Sequence, residues 1–134
     1  MDNLQGNIKQ CFEDKKGIVA VYLFGSYAQG RQRPSSDLDI GIVADRDRQS
    51  LIEKSVAQYI VELGRLLRKD IHPVVLNTAG EKLLRQVFSS GICVLVKNQK
   101  KLALFRMITL ARVVDFAYYK QRMQSGLVKS IMKD

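Results

Sequence analysis

Gly25-Ser26 and Asp37-Leu38-Asp39 stand ten residues apart. Those residue types at that spacing suit the handling of a metal-bound polyphosphate. Asp37 and Asp39 are at i and i+2, so a strand over Asp37–Val43 projects both carboxylates from one face. Their Cα atoms are then about 6.5–7 Å apart. Side chains at that separation lean onto one cation, whose oxygen ligands lie at about 2.0–2.1 Å for Mg²⁺. Without a cation the two acids repel and one tends to keep its proton. Gly25 has no Cβ, so the chain can turn sharply and let a phosphate approach the amides. The Ser26 hydroxyl can hydrogen-bond a phosphate oxygen. A short helix opening at Ser26 would add free N–H groups and a positive dipole end. The loop Gln29–Ser36 carries Gly30, Arg31, Arg33 and Pro34, so two arginines flank the phosphate position. Asp-x-Asp alone is commonplace at strand starts. The weight lies in the whole pattern between two apolar runs, Val19–Phe24 and Ile40–Val43.

Hydrophobic periodicity supplies the elements that must hold these residues. Leu4–Lys16 reads as an amphipathic helix with Leu4, Ile8, Cys11 and Phe12 on one face and Gly17 as its stop. Ile18–Phe24 is a buried strand, and Asp37–Val43 is the strand bearing the acids. From Arg48 to Leu67 the apolar residues follow the 3.6 period of a helix lying on a sheet. Asp70–Leu76 returns as a strand in which Pro73 favours an edge or a bulge. Thr78-x-x-Glu81 fits a capping box opening a helix to Phe88, which Ser89-Ser90-Gly91 ends. Ile92–Val96 closes the series as a short strand. Strands alternating with helices in this way predict an α/β or α+β sandwich, a small mixed sheet flanked by helices.

The chain has 134 residues, 46% hydrophobic and 26% charged, which suits one globular domain with a core. No apolar run is long enough to span a bilayer. The first residues lack a cationic start followed by an apolar stretch, so the expectation is a cytoplasmic protein. Cys11 and Cys93 have neither metal nor redox spacing and are expected as reduced core residues.

Charge is uneven. Residues 1–96 hold 13 basic and 11 acidic side chains, whereas residues 97–134 hold 9 basic and 2 acidic, so most of the net +9 sits in the last quarter. That tail suits a solvated basic face, an acidic partner or nucleic acid, although it lacks the patterns of RNA readers. In Leu102–Tyr119, only Arg106, Thr109, Arg112 and Asp115 are polar. A helix on a small domain needs an apolar face of roughly 100°, and this one has far more. It is either wedged deep in its own fold or packed on the domain with its outer face meeting another protein. The second reading is preferred, with Phe105, Met107, Phe116, Tyr118 and Tyr119 as interface-type residues. Met123–Met132, containing Gly126, is expected as a loosely ordered basic tail.

Gly25-Ser26, ten intervening residues and Asp37-Leu38-Asp39 resemble the signature of the nucleotidyltransferase superfamily related to DNA polymerase β, and the compact length resembles its minimal nucleotidyltransferase (MNT) branch. The resemblance covers roughly Ile18 to Val96. It implies an MNT domain over residues 1–96, with residues 97–134 as a helical extension packed on the same domain. It also implies ATP as donor, catalysis through Ser26, Asp37 and Asp39, and nucleotide contacts from Gly25, Ser26, Arg31 and Arg33. Mg²⁺ would be held by Asp37 and Asp39 with a third carboxylate on a later strand, and a second ion about 3.5–4 Å away would share these ligands. Asp70 is the preferred carboxylate for that third place, with His72 as its neighbour on the same strand face, although alignment on Leu76-Asn77-Thr78-Ala79 puts His72 there instead. Many MNT proteins are antitoxins of HEPN-domain ribonuclease toxins, and some transfer AMP to a toxin tyrosine. The expected function is therefore an antitoxin of this kind, engaging its toxin through the C-terminal helix. The alternatives are neutralisation by binding alone and a small-molecule nucleotidyltransferase, the latter disfavoured because no second domain forms an acceptor pocket.

Overall fold

The computed structural model describes residues 2–33 and 37–132. Pro34 and Ser36 of the expected phosphate loop lie outside the described residues, as do the side chains of Phe116, Tyr118 and Tyr119. The order is α1 (Asp2–Glu13), β1 (Ile18–Phe24), β2 (Leu38–Ala44), α2 (Gln49–Leu67), β3 (Ile71–Val75), α3 (Glu81–Ser90), β4 (Ile92–Val96) and α4 (Gln99–Met132). Single 3₁₀ turns precede α2 at Arg46–Arg48 and follow β3 at Leu76–Thr78.

The sheet order is β3-β2-β1-β4. β1 is antiparallel to both β2 and β4, whereas β3 runs parallel to β2 after the α2 crossover. This is the mixed sheet expected, and Pro73 sits on an edge strand, where its missing N–H costs no internal ladder bond. Alternation along the strands splits the core into two layers. Val21, Leu23, Leu38, Ile40 and Ile42 pack beneath α1 and α2 with Phe12, Ile52, Tyr59 and Leu63. Val19, Tyr22, Phe24 and Val43 pack beneath α3 and α4 with Leu84, Val87 and Leu102. β1 is buried along its whole length, so both faces contribute; each large apolar side chain so buried is worth about 1.5–3 kcal/mol. Lys15 ties α1 to α2 through a 2.8 Å bond to Glu62.

Three expectations change. Thr78 does not cap α3: it ends the 3₁₀ turn, and the helix opens at Glu81 behind Gly80 without a side-chain cap. The reason is tertiary, because Asn77 is clamped to β2. Its Oδ1 accepts from the Ala44 N–H and its Nδ2 donates to the Ala44 carbonyl, both at 2.8 Å, which leaves Thr78 too early to start the helix. The expected loose tail is instead helical, since α4 runs unbroken to Met132. At 34 residues it is about 50 Å long; Gly126 alone costs only about 1 kcal/mol relative to Ala in a helix. Cys93 is exposed on β4 and not a core residue, while Cys11 packs partly against the α1–α2 layer.

Candidate active site

The strand alternation that buries Leu38 and Ile40 puts Asp37 and Asp39 on the opposite face, the one shared with Val43. The antiparallel register then sets Asp39 opposite Phe24, the last residue of β1. Gly25 comes next, with φ +75°. A Cβ at this position would run into the Asp39 carboxylate. Glycine is therefore needed twice, for the left-handed turn and for the closeness of the acid. The acids and the bend, distant in sequence, form one corner of the sheet.

The chain from Gly25 to Gly30 is a series of turns and not the short helix that would have supplied a dipole. Gln29 N–H donates to Gly25 O (3.2 Å) and Arg31 N–H to Ser26 O (2.8 Å). The loop is pinned by Tyr27, an aromatic residue between the bend and the polar stretch that follows. Its side chain is buried in the α1–α2 layer, with the Lys69 ammonium 5.1 Å from the ring centroid. A lone aromatic after a Gly-Ser bend was the signal available for it. Ser26 sits half-buried in the turn, and Arg31 and Arg33 are exposed on the outgoing strand of the loop.

β3 brings the third side chain. Asp39 is level with His72 across the parallel ladder. His72 Nε2 lies 3.5 Å from Asp37 Oδ2, and its Nδ1 lies 3.7 Å from Asp39 Oδ1. Asp70 lies one residue ahead of the strand and is exposed, its carbonyl accepting from the Leu38 N–H at 2.9 Å. Among the described residues no three His, Cys, Asp or Glu side chains are arranged to hold an ion. Of the two candidates for the third position, His72 is the one set against both acids.

Burial raises the Asp39 carboxyl above its ordinary value; His72 works against this rise and Asp37 adds to it. A carboxyl that is unfavourable as a bare anion is suited to a cation, which restores the charged form. Beside the half-buried Gly25–Ser26 bend, the two carboxylates make a donor set that fits one divalent ion shared with a polyphosphate.

Residues 6–100 match the family described as Polymerase beta, Nucleotidyltransferase. The chain belongs to that family. It is 37% identical over 74 residues to the protein adenylyltransferase MntA of Shewanella oneidensis, a match covering 55% of this chain. The matched stretch spans 51% of that relative. The fold also resembles a chain in a crystal structure of a toxin–antitoxin with AMP-PNP, at 25% identity and a TM-score of 0.71, covering 93% of this chain and 98% of that one. A further likeness is to a chain in the structure of tri-AMPylated Shewanella oneidensis HEPN toxin in complex with MNT antitoxin, at 23% identity and a TM-score of 0.64, over 96% and 99% of the two chains. The family match runs from within α1 to the start of α4 and so includes β1, β2 and β3, which build the corner.

Proposed function

We propose that the chain is a Mg²⁺-dependent nucleotidyltransferase that acts as an antitoxin, transferring AMP from ATP to a tyrosine of a HEPN-domain ribonuclease toxin. The observation that carries the chemistry is the Asp37–Asp39 pair held against the Gly25 bend. The similarity to MntA and to toxin–antitoxin chains supports the acceptor and the partner.

Asp37 and Asp39 would hold the cation, which supplies charge neutralisation on the triphosphate and on the departing pyrophosphate. The Gly25–Ser26 bend receives the phosphates on its amides and on the Ser26 hydroxyl. The exposed Arg31 and Arg33, a few residues on, would supply cations for the outer phosphates. With the donor fixed, the tyrosine oxygen bonds to the α-phosphorus in line. The bond from that phosphorus to the pyrophosphate oxygen breaks, and the hydroxyl proton passes to solvent. Holding the two reactants in line is itself worth several kcal/mol of barrier.

Incubation with the partner toxin, Mg²⁺ and labelled ATP should label a toxin tyrosine. Asp37→Asn and Asp39→Asn should lower labelling by about 10³-fold, the several kcal/mol a metal supplies. Full labelling by both variants would remove the carboxylates from the mechanism.

A second reading, neutralisation by binding, is favoured by α4. Thr109 is buried on its inner face while Leu104, Met107, Ile108, Leu110 and Val114 are exposed. The inner face holds Leu102, Thr109 and Val113, and the outer face mixes these apolar residues with Arg106, Arg112 and Asp115. Leu104 and Ile108 also border a groove of about 440 Å³ whose rim carries Arg46, Lys101 and Arg112. An apolar surface whose edge carries both basic and acidic residues, Asp45 and Asp47 among them, suits a protein partner. Met107→Glu with Val114→Glu should weaken the toxin complex by about 2 kcal/mol, roughly 30-fold, with no fall in the melting temperature. Unchanged affinity would move the interface elsewhere.

A further inference from the structure

His72 presents one ring nitrogen to each of the two carboxylates, at 3.5 and 3.7 Å. The backbone determines this placement, because the parallel register sets Asp39 and His72 side by side. An imidazole is not a substitute for a third acid. It offers either an N–H donor or a single neutral lone pair, never an anionic oxygen that two hard cations could share. Mg²⁺ prefers oxygen ligands in strict octahedral geometry. Beyond the triphosphate, the protein offers only two carboxylates, and a second ion close beside the first adds strong like-charge repulsion with no third protein carboxylate to bridge and offset it. Asp70 lies just ahead of β3 and is exposed, only its backbone carbonyl being bonded to β2, at the Leu38 N–H. Among the described residues, no side-chain triad is arranged to hold an ion.

We propose that His72 limits this corner to a single divalent ion, the one that arrives with the triphosphate. The imidazole stands where a second ion would otherwise sit. From the β3 side it orients Asp37 and Asp39 toward the one ion they share. His72 is thus a positioning residue that determines metal stoichiometry. The inference rests on the reading of the corner as a metal–nucleotide site.

Mn²⁺ is a suitable probe because its electron paramagnetic resonance distinguishes an isolated ion from a coupled pair. In the presence of AMP-PNP the full-length wild-type chain should bind one Mn²⁺ with an isolated-ion spectrum. His72→Asp restores a third carboxylate and should bind two, with the coupled spectrum of ions about 3.5–4 Å apart. His72→Gln, neutral and of similar reach, should remain at one. Asp70→Asn in the wild-type background should also remain at one. Two coupled ions in the wild type would overturn the proposal, as would a folded His72→Asp that still binds one. If His72→Asp does not fold by circular dichroism, the wild-type and His72→Gln stoichiometries still decide. No Mn²⁺ uptake with nucleotide in the wild type is a separate outcome, which overturns the nucleotide-site reading and this inference with it.

Discussion

Asp39 at the entry to β2 and Asp45 just past its exit are the same residue type on one length of chain, yet their surroundings push them in opposite directions. At the entry, burial raises the Asp39 carboxyl, Asp37 adds to the rise, and the imidazole of His72 only partly offsets it. At the exit, the Lys101 ammonium from the start of α4 bonds Asp45 and holds its carboxyl below the ordinary range, helped by the Asp47 N–H. Next to it Asn77 satisfies both backbone groups of Ala44. The exit is a finished structural joint. The entry is left short of positive charge, the condition that the proposed site would use. A fold can tolerate one carboxyl raised above its ordinary value when a bound cation later favours its charged form.

Gly25→Ala should disturb the comparison most, because it acts on the bend and the acid together. The left-handed φ costs about 1–2 kcal/mol for a residue with a Cβ. The new methyl must also displace the Asp39 carboxylate. Transfer activity should fall by about 10²-fold, the scale of an ångström-sized misplacement, and a variant as active as wild type would separate Asp39 from catalysis.

Asp39→Asn and Asp45→Asn should then differ in the sign of their pH dependence. A raised carboxyl stabilises the fold only where it is protonated, so its contribution is present below the ordinary carboxylate value and is lost as pH rises through the raised one. Asp39→Asn should therefore raise the melting temperature of the metal-free protein at neutral pH, with the gain vanishing in acid. A neutral-pH decrease would contradict the account of the entry.

Asp45 is the reverse case and the smallest effect. Its lowered carboxyl contributes above the ordinary value, and that contribution is lost as pH falls through the lowered one. Asp45→Asn should lower stability at neutral pH by less than about 1 kcal/mol, since the Lys101 pair faces solvent. High salt should shrink the difference further. A larger, salt-insensitive loss would mean that the joint is more than an exposed ion pair.

Much of this was legible in local pattern. β1 and β4 have the expected bounds, and β2, α2 and β3 fall within a residue or two, because apolar periodicity is set by burial on one face or two. The Gly-Ser bend and the acid pair were legible because few backbones require that combination. What failed did so for non-local reasons. Thr78 carries the local chemistry of a helix cap, but Asn77 is already committed to β2, and a long-range clamp outweighs a capping preference. The tail after Tyr119 lacks an amphipathic period, yet α4 continues through it to Met132. Tyr27 sits in a polar stretch, and only the packed core gives its ring a place.

The amino-acid order by itself determined which residues could bind a cation and bend a chain around phosphate, because those properties belong to side-chain types and to spacing along one strand. Only the tertiary structure decided that an imidazole and not Asp70 is set against both acids. That choice depends on the register of a parallel neighbour joined through a 19-residue helix, and register across a crossover is fixed by packing between strands and not by any local motif.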